Sequence, residues 1–323
     1  MHISTRTLRP PQTTILMMIM GVVLSLAAAS CGGGVRPTIT TDALQETGGA
    51  ADVAATPTVP AAQITADVVP AATPTPADAA TGAPAEPLPT DDVEQLVVEV
   101  IASYPHDPAA FTQGLELDDG LLIESTGQFG ASDLRRTQVE TGEVVEIVSN
   151  RADFFAEGLT KVGDEFVQLT WQNNTALYWD ATTFELNRQV SYAGEGWGLC
   201  YDGQFLVMTD GSSELTLRDP ATFDEIARVP VTFKGEPIDR LNELECADGA
   251  VWANVWLTDQ IVRIDPATGT VNASVDASSI RFETENNDAV LNGIAYDPSD
   301  GSFLITGKLW PTLYRVNFVP QAG

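Results

Sequence analysis

The residues of this chain that could do chemistry stand at equivalent places in a repeated unit. Each unit starts with a variable residue, then usually a glycine, then leucine or isoleucine, and it recurs about every 45 residues. A carboxylate, several amides and an indole at equivalent positions are groups that can bind and orient a small polar ligand. The five unit starts are Gln113-Gly114-Leu115, Glu157-Gly158-Leu159, Trp197-Gly198-Leu199, Asn242-Glu243-Leu244 and Asn292-Gly293-Ile294.

A second set of functional groups follows in each unit, near the end of the next apolar run. In the second unit, residues 155–171 are predicted to form a β-hairpin, which would make Glu157 and Trp171 neighbours across the strands. Polar groups that converge between aromatic walls are typical of a small-ligand pocket. This second set consists of Thr126, Trp171, Asp210, Trp256 and Lys308.

Some of these residues also have simpler explanations. Asn242 and Asn292 could do no more than bond the main chain at the start of a strand. Asp210 precedes a glycine and is typical of a turn. A lone tryptophan usually packs in a core, and a lone glutamate beside glycine is usually exposed. The recurrence of tryptophans with Glu157 at equivalent positions favours a pocket instead.

The elements that would position these residues are short β-strands. Each unit shows a first strand, a turn, a second apolar strand, a third strand ending in an Asp-x-x-Thr-like turn, and a fourth strand. Four strands in a repeat of this length are typical of a β-propeller, whose first strands line a central channel. We therefore predict an all-β, five-bladed propeller over residues 93–323. The alternative is a β-sandwich with chance internal similarity.

The fifth unit ends without a fourth strand. Residues 94–101 alternate between apolar and polar positions, and they precede the first unit. We predict that this N-terminal strand closes the ring as the outer strand of the last blade, which would leave no open end between blades.

The N-terminal part has the character of a targeting and linking segment. Residues 1–30 combine arginines, a short apolar run and small residues, which is typical of a secretory signal rather than a membrane span. Cys31 then stands where a bacterial lipoprotein is lipidated, and the alternative is ordinary secretion. Residues 31–92 are rich in Ala, Thr and Pro and predict a disordered tether. We expect a protein of the cell envelope, anchored by lipid to the outer face of the membrane.

Charge and composition exclude several classes of function. The formal charge of −29 argues against nucleic-acid binding and against electrostatic docking on anionic lipid. Outside the signal, His106 is the only histidine, so a His-rich zinc site is excluded.

Cys200 and Cys246 occupy matching places in successive units, and packed sheets lie roughly 10 Å apart. Because this distance is too long for a disulfide, we predict two free thiols. We also expect the protein to be a monomer.

Ten short motifs carry a family resemblance. They include YPHDPAAFTQGL, ESTGQFGAS, FAEGLT, GWGL, LNELE, WANVW and TGKLW, in order across residues 100–316. The chain resembles the plant- and bacterial-type glutaminyl-peptide cyclotransferases, which are five-bladed propellers. Ala156, Cys200 and Cys246 depart from the family's usual residues. The resemblance places the active site on Phe111, Gln113, Phe155, Glu157, Trp171, Trp197, Asn242, Trp256 and Lys308.

This resemblance implies the conversion of an N-terminal glutamine of a peptide or protein into pyroglutamate with release of ammonia. Glu157 would then shuttle the proton, and Lys308, Gln113 and Asn242 would contact the oxyanion and amide. The tryptophans would exclude water, and no cofactor or metal would be required. The alternatives are a propeller that binds peptides or sugars without catalysis, a structural envelope protein and a quinone-dependent dehydrogenase.

Overall fold

The computed structural model of this chain describes residues 93–322, and most of its regular structure is β-strand. One 3₁₀ turn, Ser278–Ile280, is the only helical element within that range. The strands are β1 (Glu94–Pro105), β2 (Thr112–Asp118), β3 (Leu121–Thr126), β4 (Asp133–Gln138), β5 (Val144–Ser149), β6 (Ala156–Val162), β7 (Glu165–Thr170), β8 (Thr175–Asp180), β9 (Leu186–Ser191), β10 (Leu199–Tyr201), β11 (Leu206–Met208), β12 (Glu214–Arg218), β13 (Glu225–Pro230), β14 (Thr232–Phe233), β15 (Glu236–Pro237), β16 (Leu241–Ala247), β17 (Ala250–Val255), β18 (Gln260–Ile264), β19 (Val271–Asp276), β20 (Leu291–Asp297), β21 (Ser302–Gly307) and β22 (Thr312–Pro320).

The strands assemble into consecutive antiparallel units. Three sheets have the orders β2-β3-β4-β5, β6-β7-β8-β9 and β10-β11-β12-β13, and an eight-stranded sheet runs β16-β17-β18-β19-β1-β22-β21-β20. The first strands of the units, β2, β6, β10, β16 and β20, contact one another in cyclic order. They therefore enclose a space that we call the channel. The predicted all-β, propeller-like fold is confirmed.

Strand β1 closes the ring from the N-terminal side. It pairs antiparallel with β22, from Leu96 opposite Pro320 to Pro105 opposite Thr312, and so supplies the fourth strand of the last unit. This is the predicted closure, although the strand continues to Pro105 instead of ending at residue 101. A second contact was not predicted: β1 also pairs in parallel with β19 and thereby joins the last two units into one sheet.

The core lies between neighbouring units. Apolar side chains of one sheet pack on those of the next, as Val167 and Leu169 of β7 do against Leu206 and Met208 of β11. All four of these side chains are buried. Burial of such apolar area is the main favourable contribution to folding, and here it also fixes how adjacent units stand around the channel.

The two cysteines of the folded part are bonded to each other, so the prediction of free thiols is wrong. Cys200 of β10 and Cys246 of β16 form a disulfide with a Cα–Cα distance of 5.4 Å. The prediction used the spacing of sheets packed face to face, whereas first strands converge toward the channel. At Gly198, a Cβ atom would lie only 2.0 Å from the main-chain oxygen of Asn242, so glycine permits this close approach.

The predictions for residues 1–92, namely the signal segment, the lipidation of Cys31 and the disordered tether, lie outside the described residues. Within the described range, no helix is both long enough and apolar enough to cross a membrane.

Candidate active site

A cavity of about 290 Å³ opens at the end of the channel where the first strands begin. It collects residues from loops and strand ends of all the units, because first strands start at this end. All nine predicted site residues line it, together with two that were not predicted. The lining consists of Phe111, Gln113, Gln128, Phe155, Glu157, Trp171, Trp197, Asn242, Trp256, Asp288 and Lys308.

The floor of this cavity is polar and buried. Glu157 accepts a hydrogen bond at Oε1 from the Gln113 Nε2 amide, at 2.9 Å. Gln113 in turn accepts one at its Oε1 from Asn292 Nδ2, at 3.2 Å. The Oδ1 atom of Asn242 is buried and has no hydrogen-bond partner among the described residues. A buried acceptor without a partner is costly, and a ligand N–H could satisfy this one.

The two charged residues of the floor have pKa values shifted toward neutrality. Burial raises the pKa of Glu157 well above its usual range, the charge of Lys308 opposes this rise, and Glu195 adds to it. Burial also lowers the pKa of Lys308, against the opposing effect of Glu157 and Asp288. No ion pair joins Glu157 and Lys308 within the described part of the chain. Buried groups with perturbed pKa values in a cleft are typical of acid–base sites.

Aromatic rings form the walls. The Phe155 ring lies edge-on to Phe111, at 6.0 Å between centroids, and to Trp171, at 5.7 Å. Trp197 and Trp256 make a similar pair at 5.4 Å. These edge-to-face contacts hold the rings together around the floor.

Glu195 joins the two aromatic groups and was missed by sequence reasoning. Its Oε2 atom accepts hydrogen bonds from the indole nitrogens of Trp171, at 2.7 Å, and Trp197, at 3.0 Å. Gln172 donates to its other oxygen at 2.8 Å. These hydrogen bonds outweigh partial burial, so the pKa of Glu195 is lowered. Its position two residues before Trp197 is a signal, but the contact with Trp171 depends on the neighbouring unit.

Gln128 and Asp288 were also missed, because both lie in loops at the exposed rim. Gln128 belongs to the ESTGQFGAS motif, and Asp288 lies in the longest interval between unit starts, so both had a weak signal. A repeat pattern defines strand positions and says little about loops.

Three residues of the two predicted sets, the unit starts and the second set, do not line the cavity. Asn292 donates to the main-chain oxygen of Thr112 at 3.0 Å, which is the simpler role considered for it. The hydroxyl of Thr126 accepts from the main-chain nitrogen of Asp133, and Asp210 accepts from that of Ser212. These residues stabilise strand starts and turns around the site.

Metal ligands are not grouped near this cavity. Within residues 93–322, no cluster of three or more His, Cys, Asp or Glu side chains has an arrangement that could hold a metal ion. His106 is buried, with Nδ1 at 2.7 Å from the Trp310 main-chain oxygen and Nε2 at 3.1 Å from Glu124. Both of its ring nitrogens are therefore engaged within the protein.

Comparison with known proteins identifies the family to which this chain belongs. Residues 71–318 match the family model described as glutamine cyclotransferase. The chain is 37% identical over 225 residues to glutaminyl-peptide cyclotransferase of Arabidopsis thaliana, covering 68% of this chain and 70% of that protein. The crystal structure of glutaminyl cyclase from Myxococcus xanthus matches with a TM-score of 0.67 and 38% identity, over 71% of this chain and 100% of that one. The chain belongs to the glutamine cyclotransferase family.

Proposed function

We propose that this protein is a glutaminyl-peptide cyclotransferase in which Glu157 moves the proton. The observation that carries the proposal is the cavity floor, where Gln113, Glu157, Asn242 and Lys308 converge below aromatic walls. Its membership of the family supports the class of reaction. A propeller that only binds peptides could keep the aromatic walls, but it would have no need for Glu157 and Lys308 together.

The reaction is intramolecular. The α-amino nitrogen of an N-terminal glutamine bonds to its own side-chain carbonyl carbon, the bond from that carbon to the amide nitrogen breaks, and ammonia leaves. One proton passes from the attacking amine to the leaving nitrogen, and no water is consumed. Because amine and amide belong to the same residue, holding them in a near-attack geometry lowers much of the barrier.

Glu157 suits the proton transfer because burial raises its pKa. Its carboxylate would take the proton from the amine and return it to the leaving nitrogen, which is general base and general acid catalysis by one group. The Lys308 ammonium would stabilise the oxyanion. Asn242 Oδ1, which has no partner within the described residues, would accept an N–H of the substrate and hold the amide in place.

Ammonia release from a dipeptide with N-terminal glutamine tests the activity. We expect the purified protein to release ammonia and form a pyroglutamyl product in equal amounts, and a dipeptide with N-terminal asparagine should give none. Binding of both peptides without ammonia release would support the non-catalytic alternative instead.

We also propose that the enzyme works as a monomer and requires no cofactor. It would act outside the cytoplasm, held to the membrane through lipid on Cys31. The Cys200–Cys246 disulfide supports an oxidising compartment. Cys31→Ser should move the protein from the membrane fraction to the soluble fraction of cells. Retention of the variant on membranes would contradict the anchor.

A further inference from the structure

We infer that Phe129, which follows the cavity-lining residue Gln128 and contacts the lining residue Phe155, forms a subsite for an apolar or aromatic side chain at the second position of the substrate peptide. This inference rests on the proposed function and extends it to the substrate's sequence. The cavity floor is taken up by the reacting glutamine. The rest of the peptide must therefore leave past the rim, to which Gln128 belongs and next to which Phe129 follows in the chain.

Phe129 is an exposed extension of the aromatic wall. Its side chain is 56% exposed, and it lies edge-on to Phe155 with 5.4 Å between ring centroids. Phe155 in turn contacts Phe111 and Trp171 of the cavity. The aromatic wall thus continues from the buried floor to the exposed side chain of Phe129. An aromatic ring of this kind offers a large surface for stacking.

Hydrogen bonds to Ser132 hold the loop that carries Phe129 in a defined conformation. Gln128 has a φ of 102°, a value that non-glycine residues rarely adopt. Its main-chain oxygen accepts from the Ser132 hydroxyl at 2.8 Å, and that hydroxyl accepts from the main-chain nitrogen of Ala156 at 3.0 Å. The loop is therefore tied to the residue next to Glu157. Such strained conformations persist where the surroundings impose them, often at ligand sites.

Gly127 fixes the distance between this loop and the wall. A Cβ atom there would lie 2.4 Å from the Phe155 ring, so only glycine allows the loop to pack this closely. The Gln128 side chain consequently lines the cavity while Phe129 stays exposed. A side-chain amide next to a ring can bind the peptide bond that follows the glutamine, while the ring contacts the next side chain.

The test is a selectivity ratio. We expect kcat/KM for Gln-Phe-amide to exceed that for Gln-Gly-amide in the wild type, by about 2- to 10-fold from the aromatic contact. Phe129→Ala should bring this ratio close to one, and Phe129→Tyr should preserve it. Ile147→Ala, at an equally exposed apolar residue on the outer strand β5, should leave both rates unchanged.

An unchanged ratio in Phe129→Ala would overturn the subsite. The ratio separates selectivity from damage to the loop, because general damage would reduce turnover of both peptides alike. If the wild type turned over neither peptide, the proposed function would fail. Binding of Gln-Phe-amide and Gln-Gly-amide, followed by tryptophan fluorescence, would then give the ratio of their dissociation constants. Loss of a preference for Gln-Phe-amide in Phe129→Ala would sustain the subsite, and equal affinities in the wild type would refute it.

Discussion

Glutamates are buried at two levels of the channel, and their hydrogen bonds differ. Glu157 lies at the cavity, and among the described residues its carboxyl group has one hydrogen-bond partner, the side chain of Gln113. Glu243 lies deeper and accepts two main-chain N–H groups, from Leu115 at 3.2 Å and Ile294 at 2.8 Å, on two other units. Both have a pKa raised by burial. The deep glutamate is held by the fold, whereas Glu157 keeps hydrogen-bonding capacity for a ligand.

Two further glutamates, both half-buried, make the same kind of contact between units. Glu116 accepts from the hydroxyl of Thr160 and the main-chain nitrogen of Lys161, and Glu245 accepts from the main-chain nitrogen of Tyr296. Each bond crosses from one unit to the next, so these carboxyl groups connect units where glycine-lined strands approach. Main-chain donors thus hold the deep carboxyl group of Glu243 within the fold, whereas the cavity leaves Glu157 available for the role that we propose.

The largest effect should follow the loss of the titrating group at the cavity. Glu157→Gln keeps the shape but cannot shuttle a proton, so we expect kcat to fall about 10²–10⁴-fold with little change in KM. The melting temperature should hold or rise, because a buried carboxylate is costly. Ammonia release under saturating peptide and a thermal melt measure both. Nearly full kcat in this variant would remove Glu157 from the mechanism.

A second, somewhat smaller loss should follow removal of the buried cation. Lys308→Met keeps an unbranched side chain without the charge, and loss of one oxyanion donor typically lowers kcat about 10²–10³-fold. The matched control is Lys234→Met, at a lysine of the β14–β15 turn outside the cavity, which should leave kcat unchanged. Equal kcat values in the two variants would assign the oxyanion to other donors.

The deep glutamate should show the opposite pattern. Glu243→Gln replaces one of two acceptor oxygens with an amide nitrogen, so one buried main-chain N–H loses its partner. We expect the free energy of unfolding in urea to fall by about 1–3 kcal/mol, with kcat unchanged once the protein is folded. A loss of kcat without a loss of stability would erase the distinction between the two levels of the channel.

The smallest predicted effect concerns pH. Burial raises the pKa of Glu116 to about 7, so between its unfolded pKa near 4.5 and pH 7 the native state binds more protons than the unfolded state. Stability therefore falls as pH rises through this window. Glu116→Gln should flatten the decline in a series of melts from pH 5 to pH 8. A decline of unchanged slope would mean that the group does not titrate there.

Much of the site could be predicted because the repeat converts sequence spacing into spatial equivalence. Gln113, Glu157 and Asn242 lie at the starts of first strands and Trp197 lies just before one, and all first strands open at one end of the channel. A period of strands and turns therefore predicts convergence without any knowledge of distances. The closure by β1 could be predicted in the same way, because the fifth unit lacked a fourth strand and the strand before the first unit belonged to no unit.

Contacts that depend on the approach of two units could not be predicted. Asn242 and Asn292 are the same residue type at equivalent positions, yet only Asn242 lines the cavity. The link from Glu195 to Trp171, the parallel pairing of β1 with β19 and the Cys200–Cys246 bond each join segments of different units. Spacing along the chain contains no information on how far neighbouring strands converge.

The sequence by itself determined the unit, its strand order and the residue types offered to the channel, because these follow from local hydrophobic alternation and turn residues. Only the tertiary structure decided which polar groups are saturated and which remain accessible. Hydrogen bonds between units set that difference, as at Glu157 and Glu243. The reactivity of a buried carboxyl group depends on its partners and desolvation, and both arise only when the ring has closed.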